Sequence, residues 1–374
     1  MQSEVNNSAT PVRDEARLKE VLGGFGGLWR YPGSLDYFFL VNPYFPPASF
    51  TERMKDMVEH LFYHYPSNRR VDSELASAYF GVRADSIIVG NGTSELIKEV
   101  MEHTEGKVGV IRPTFEEYPN RYAPSKLVTM FVNHPDFSYS ADDIMSYFDG
   151  SGVGSIVLVN PDNPSGNYIP KKDLIRLARW AKERNIRVIL DESFSDFAEE
   201  EKPTLIDQEI LDAYPNLLVL KSISKSYGVP GIRLGVIASG NTPYMNWLKQ
   251  DLSIWNINSF AEYFLQIIAD YHDEYVAGLE KLKAERKRFS SLLSSIDGLH
   301  VIPSNADYLM VGIENGVTID TLRKELFSRH NILIKDLTSK VPDGRQFMRL
   351  AIRNEEDNDT FIAALKETLR DLKP

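Results

Sequence analysis

The sequence contains no cysteine. That excludes disulfides, thiolate zinc sites, iron–sulfur clusters and a cysteine nucleophile. It also lacks an excess of positive charge: 42 Lys and Arg stand against 53 Asp and Glu, a net charge of −11. A generic nucleic-acid binder needs a cationic face to neutralise phosphates, so that class is set aside; a small anion in a local basic pocket stays open. No apolar run reaches the roughly 18 residues that a membrane span needs. Residues 1–20 are polar with mixed charge, unlike a secretory signal. Together these absences lead to the expectation of a cytoplasmic protein with no membrane and no nucleic-acid partner. His60 and His64 have i,i+4 spacing but no third ligand, so no metal is expected. There is no Walker loop and no nucleophile-elbow serine, and Gly23-Gly24-Phe25-Gly26-Gly27 does not follow a strand as a dinucleotide fingerprint does.

What is present is an ordinary globular composition, 43% hydrophobic and 25% charged over 374 residues, enough for two or three domains. Short β-branched runs alternate with helical patterns. Strands are expected at Ser86–Val89, Lys107–Ile111, Leu127–Val132, Ser155–Val159, Arg187–Leu190, Leu217–Leu220 and Arg233–Ala238, with helices such as Ser94–His103 and Lys172–Arg184 between them. That alternation predicts an α/β architecture with a mostly parallel sheet, whose ligands collect at the carboxyl ends of the strands. From about Phe260 the pattern changes. Residues 260–294 read as one long helix, followed by short strands near His300–Ile302, Tyr308–Val311, Asn331–Ile334 and Phe347–Ile352, and a helix over Asp357–Leu372. This is the pattern of a smaller α+β domain. The first fifteen or so residues read as a loose arm.

Several residues stand out. Lys225 follows an apolar strand, sits among Ser222, Ser224 and Ser226, and precedes Gly228, Pro230 and Gly231. A lysine on such a turn is placed to form a Schiff base with an aldehyde. Arg233 lies eight residues further on, within what reads as a strand, and an arginine there needs an anionic partner. Ser222, Ser224 and Arg233 are either a phosphate clamp beside a reactive amine or part of a buried ion pair. Gly90-Asn91-Gly92-Thr93-Ser94 opens a helix, and is either an anion site on free N–H groups or a simple cap. Asp191 leaves an apolar strand, either to meet a cation or protonated ring nitrogen or to cap a helix. Arg349 and Arg353 are read on one strand, projecting to one face, with Lys335 ending another apolar run. Any of these cations is able to fork onto a carboxylate, or to make surface salt bridges.

In this order the motifs Asn42-Pro43, Gly90-Asn91-Gly92-Thr93, Asn160-Pro161-Asp162-Asn163-Pro164-Ser165-Gly166, Asp191-Glu192, Ser222-Ile223-Ser224-Lys225 and Gly231-Ile232-Arg233-Leu234-Gly235 resemble the fold type I pyridoxal 5′-phosphate (PLP) enzymes of aminotransferase class I/II. The resemblance runs from about Asn42 to Ile352 and is nearest to the histidinol-phosphate aminotransferase and threonine-phosphate decarboxylase branch. It implies a seven-stranded, mostly parallel sheet sandwiched by helices in a large domain at 48–253, with 1–47 and 254–374 forming the small one. It implies that Lys225 carries the cofactor Schiff base and moves the proton at the α-carbon, and that Asp191 keeps the pyridine nitrogen protonated. Asn163 would bond the ring 3′ oxygen and the substrate, and Phe115 would stack on the ring. Gly92, Thr93, Ser222, Ser224 and Arg233 would hold the phosphate, with Tyr65 reaching across from the other subunit of a homodimer. Arg349, Lys335 and Arg353 would face the substrate anions.

The chain departs from that pattern at three places. Phe194 replaces a tyrosine that bonds the 3′ oxygen, Lys335 replaces an arginine, and Leu40 replaces a polar asparagine. Phe194, Trp255-Asn256-Ile257-Asn258 and Arg349-Leu350-Ala351-Ile352-Arg353 resemble the decarboxylase members. The leading expectation is an aminotransferase moving an amino group between a small, phosphate-bearing amino compound and a 2-oxo acid. The alternative is a decarboxylase of a phosphorylated amino acid. A third reading is a PLP-binding regulator without turnover, which the acidic charge and the forty or so residues before Asn42 disfavour.

Overall fold

The structure, a computed structural model, describes residues 15–23, 26–341 and 343–372. The expected arm over the first fourteen residues, and Gly24 and Phe25 of the glycine run, lie outside them. Strands are numbered along the chain. The first, β1 (Leu35–Asp36), belongs to the smaller unit. The large sheet is built from β2 (Ile87–Gly90), β3 (Lys107–Arg112), β4 (Leu127–Phe131), β5 (Val153–Val159), β6 (Arg187–Asp191), β7 (Leu217–Ser222) and β8 (Gly235–Ala238). Their order is β2-β8-β7-β6-β5-β3-β4, parallel except that β8 runs against both neighbours. The seven-stranded, mostly parallel sheet is as expected.

The strands are apolar at nearly every position because both faces are covered. Alternate residues divide between two cores. Ile156, Leu158, Leu217 and Val219 face the layer that holds Leu174, Leu177 and Ala181 of the helix Lys171–Glu183. Val157, Val159, Leu218 and Leu220 face Leu96, Ile97 and Val100 of the helix Thr93–Glu102.

The remaining strands are β9 (Leu299–Val301), β10 (Tyr308–Ile313), β11 (Ile332–Leu333), β12 (Lys335–Asp336) and β13 (Gln346–Ala351). Four form an antiparallel sheet in the order β12-β13-β10-β9, and β1 pairs with β11. The segment after β1 ties this unit to the other. Tyr37 donates to the Leu333 carbonyl and accepts from Ala351, while Asn42 donates to the carbonyls of Lys225 and Ser226. The division at 47/48 and 253/254 we offer as a proposal; the helix Ser259–Ile267 packs on the helix Arg69–Phe80 of the larger unit. The expected continuous helix over 260–294 is in fact two, Ser259–Ile267 and His272–Ser294, joined by a 3-10 turn at Ile268–Tyr271. Tyr271 packs there against Phe50, ring centroids 5.1 Å apart, an inter-segment contact that periodicity does not display.

One carboxylate organises the turn after β7. Asp196 accepts from Lys221 Nζ (2.5 Å), Ser226 Oγ (2.7 Å) and Tyr275 Oη (2.7 Å). Tyr275 lies on the helix His272–Ser294 and stacks on Tyr227 at 4.2 Å and 3°. Gly228 completes the turn at φ +64°, where a Cβ would lie 1.9 Å from the Phe45 carbonyl oxygen. Burial would raise the Asp196 carboxyl, but the Lys221 ammonium and the Ser226 and Tyr275 hydroxyls hold it below its ordinary range. A carboxyl depressed in the folded state stabilises above its unfolded pKa, and that stability is lost as pH falls through the folded one. Asp196→Ala is expected to cost about 3 kcal/mol in urea unfolding, as for a broken buried ion pair, and to flatten the acid limb of the stability profile. A loss indistinguishable from that of an exposed Asp→Ala would contradict this account.

Candidate active site

Asn163, Asp191, Ser222, Lys225 and Thr93, all near the carboxyl ends of their strands, face one cavity of about 600 Å³. Phe38, Phe39, Leu40, Phe115, Phe194, Lys335, Leu337, Lys340 and Arg349 line the rest. Sheet topology alone would put the site here, since parallel strands deliver their carboxyl-end loops to one edge.

Lys225 stands on the short helix Ile223–Ser226, which Ser222 caps by accepting from the Ser224 N–H. Its amine opens into the cavity without a hydrogen-bond partner among the described residues. Burial lowers its pKa, with the Arg349 and Arg233 charges adding to the effect and the Asp307 and Asp191 charges opposing it, so the amine gives up its proton more readily than an exposed lysine. Asp191 is buried at the end of β6. Its carboxylate accepts from the Ser193 N–H and the Tyr118 hydroxyl, each at 2.9 Å. Burial nevertheless raises its pKa, and a cation set against it would compensate the lost hydration. Tyr118 has no signal in the sequence: it lies in the short helix Glu117–Asn120, and its partner is 73 residues away.

The anion cradle is assembled from three segments. Gly92 caps the helix Thr93–Glu102 at φ +72°, and a Cβ there would lie 2.4 Å from Arg233 Nη2. The Ser224 hydroxyl is buried without a partner. A helix N-terminus against an arginine fits a phosphate group, and the orphaned hydroxyl is left for a ligand to bond. Arg233 corrects the sequence reading in one respect. It precedes β8 instead of lying in it, with a left-handed backbone (φ +61°), and its exposed side chain reaches Ser94 Oγ at 3.4 Å.

Opposite the cradle, Arg349 donates to the Asn163 side-chain oxygen and the Phe38 carbonyl, both at 2.8 Å, while its Nε is buried and unpaired. Lys335 is its direct cross-strand partner and lies 4.6 Å from the Phe38 ring. Lys340, which no motif marks, donates to the Thr114 carbonyl; burial pushes its pKa down to about 8. None of the three forms an ion pair with a carboxylate among the described residues. The acids on the rim, Glu116 and Glu117, are each taken by their own arginine, Arg112 and Arg121.

Five expected site residues do not line this cavity: Gly92, Ser224 and Arg233 belong to the cradle beside it, and Arg353 and Tyr65 lie elsewhere. Arg353 lies beyond β13, which ends at Ala351, and pairs with Asp357 at 2.8 Å in the first turn of the helix Glu355–Leu372. The strand ends before a shared face can form. Tyr65 is exposed and stacks on Trp255 (4.6 Å, 29°) in a separate groove with Phe62 and Phe260. It does not reach the cavity of its own chain. His60 and His64 are exposed. No described helix is long and apolar enough to cross a membrane.

The chain matches the model of the family described as aminotransferase class I and II over residues 45–365. It is 33% identical, over 96% of its length, to the CMP-5′-(3-aminopropyl)phosphonate synthase of Streptomyces rubellomurinus, and spans 56% of that protein. It is 29% identical to an L-serine phosphate decarboxylase of Sulfurospirillum multivorans, with 91% of this chain and 89% of that one covered. The solved histidinol-phosphate aminotransferase of Clostridium acetobutylicum superposes with a TM-score of 0.80 at 27% identity, covering 90% of this chain and 100% of that one. The family match makes PLP the cofactor. The orphaned Ser224 hydroxyl, the Gly92–Arg233 cradle and the Asp191 carboxyl fit its phosphate and its ring nitrogen.

Ser224→Ala is expected to leave the fold intact and weaken PLP binding about tenfold, the worth of a hydrogen bond to a charged group, as read by equilibrium dialysis. Unchanged affinity would remove Ser224 from the cradle.

Proposed function

The chain belongs to the aminotransferase class I and II family, and from that premise we propose that it removes the α-carboxylate, as carbon dioxide, from a small amino acid bearing a second, phosphate-like anion. The observation that carries the substrate class is the set of three cations, Arg349, Lys335 and Lys340, that form no ion pair among the described residues, all lining the Lys225 cavity. A single carboxylate does not require three. Desolvated charges of one sign are costly unless a ligand neutralises them. Decarboxylation is supported by the likeness to L-serine phosphate decarboxylase, and a phosphate-like anion by that relative and by the phosphonate synthase. This reverses the order reached from sequence alone, in which transamination came first.

Bound PLP supplies an electron sink for charge that develops at the α-carbon. Lys225 provides the amine that holds the cofactor and then the group that moves a proton at that carbon. Asp191 would hold the ring nitrogen. Asn163 keeps its amide nitrogen for the ring oxygen while its carbonyl orients Arg349. Phe194 packs edge-on against Tyr308, centroids 5.1 Å apart, and offers no hydroxyl to the same oxygen. The cations would select the reaction by position, through which substituent of the α-carbon they hold. Transamination of a phosphorylated amine remains the second reading, favoured by the histidinol-phosphate aminotransferase relatives.

A homodimer is part of the proposal. Phe62, Tyr63, Tyr65 and Trp255 form an exposed apolar groove beside Asn91, next to the cradle. A second copy covering it would bring Tyr65 toward a neighbouring site. Sedimentation should give twice 42.5 kDa, and a fully active monomer would rule this out.

With carboxyl-labelled O-phosphoserine, O-phosphothreonine and an ω-phosphono amino acid, one labelled carbon dioxide per amine is expected from at least one. No 2-oxoglutarate should form from glutamate. Stoichiometric 2-oxoglutarate would instead establish transamination. Lys225→Ala should fold and lose turnover. Lys340 is charged below about pH 8 and neutral above it, so kcat/KM should fall as pH rises past that value. Lys340→Arg, which stays charged, should remove that limb; an unchanged profile would take Lys340 out of substrate binding.

A further inference from the structure

The turn after β5 carries two consecutive residues, Asp162 and Asn163, that are both tied to cations of the cavity wall. Asn163 is tied directly: its side-chain oxygen accepts from Arg349 at 2.8 Å. Asp162 is tied through one intermediary. Its Oδ1 accepts from the Thr114 hydroxyl at 2.9 Å, and the Thr114 carbonyl accepts from the Lys340 ammonium. Asp162 and Thr114 are buried, at 1% and 6% exposure, and neither lines the cavity. They stand behind its wall, out of reach of a substrate.

The relay is rigid at its base. The Asp162 N–H donates to the Asn167 carbonyl at 2.8 Å, and the Asp162 carbonyl accepts from the Tyr308 hydroxyl and the Gly166 N–H, each at 2.6 Å. Its far end is a flexible side chain. Lys340 closes the 3-10 turn Thr338–Lys340 of the smaller unit. An ammonium has three donors, and the bond to Thr114 is the one hydrogen bond it makes among the described residues. A lysine head on a four-carbon stem swings freely unless something holds it, so that carbonyl decides where the two remaining donors point. The two cations also differ in what they suit. The planar fork of Arg349 matches a carboxylate, while the compact charge of Lys340 suits a phosphate-like group.

We propose that Asp162 is a positioning residue for substrate selection: acting through Thr114, it holds the Lys340 ammonium for the substrate's second, phosphate-like anion, while its neighbour Asn163 holds Arg349 for the α-carboxylate. One turn thus assigns one cation to each end of the substrate. This inference rests on the proposed substrate class, an amino acid with a second anion, but not on which bond of the α-carbon is broken.

Thr114→Val removes the hydroxyl that Asp162 grips and keeps the carbonyl. The holoenzyme is assayed with O-phosphoserine, O-phosphothreonine and an ω-phosphono amino acid, each beside its phosphorus-free counterpart as a competitor. For the best substrate of the three, KM should rise about tenfold, the worth of a hydrogen bond to a charged group. With kcat within twofold, that is the mark of lost uniform binding. The inhibition constant of the phosphorus-free counterpart should move less than twofold. Thr114→Ser, which keeps the hydroxyl, should restore KM. Lys340→Met should raise KM at least as far, and adding Thr114→Val to it should change nothing further. Equal weakening of both members of a pair would make Thr114 merely structural and overturn the proposal. So would an unmoved KM, or additivity with Lys340→Met. Should the valine chain not fold, Thr114→Ala removes the same hydroxyl, and the same outcomes apply. Selective weakening with a 2-oxo acid formed in place of labelled carbon dioxide would sink the decarboxylase reading and leave the relay standing. Unchanged selectivity with carbon dioxide released would sink the relay alone. No preference for phosphorus in the unaltered enzyme would sink the substrate class and the relay together.

Discussion

The carboxylate of Asp196 is the constraint on which the site depends. Two lysines four residues apart, Lys221 and Lys225, meet opposite fates on either side of it. Lys221 is spent on Asp196 at 2.5 Å. The same carboxylate pins Ser226, so the turn between them is held at both ends and Lys225 projects into the cavity with its amine unbonded. Tyr275 brings the helix His272–Ser294 to the same anchor. Without Asp196, Lys221 would be a buried cation competing for the carboxylates around it, Glu192 among them.

The electrostatics of the cavity run against those of the whole chain. The net charge is −11, yet Arg349, Lys335 and Lys340 form no ion pair with a carboxylate among the described residues, and the rim acids Glu116 and Glu117 are paired with Arg112 and Arg121. Exposed ion pairs contribute little to stability. Here their effect is subtractive: they remove the carboxylates that would otherwise fill an anion site.

Much of this was legible in the sequence where the physics is local. The parallel sheet showed itself because strands buried on both faces are apolar throughout. Lys225, Asp191, Thr93 and Ser222 stood out because each ends or closely follows a strand, and strand ends share an edge; Asn163, in what reads as a turn, was marked by the family resemblance. Arg353 could not, since nothing local told that β13 stops at Ala351 and that Asp357 waits one turn on. Arg233 was misplaced by two residues, enough to exchange a strand for a left-handed turn. Lys340 and Tyr118 carried no motif at all. Their hydrogen-bond partners, Thr114 and Asp191, lie 226 and 73 residues away, and chain folding, not spacing, brings them together.

The segment from Leu35 to Asn42 has a mechanical consequence. Its first residues are a strand of the smaller unit, its middle supplies Phe38, Phe39 and Leu40 to the cavity wall, and its last residue is bonded to the backbone of Lys225 and Ser226. A few peptide units therefore act as a short tether between the lysine and the sheet that carries Arg349. Any swing of that sheet must be absorbed within the tether or felt as a pull on the lysine's own carbonyl. The residues that grip the substrate and the residue that handles its proton are thus strung on one line, and slack in it, such as an inserted glycine near Leu40, would uncouple grip from chemistry without touching either.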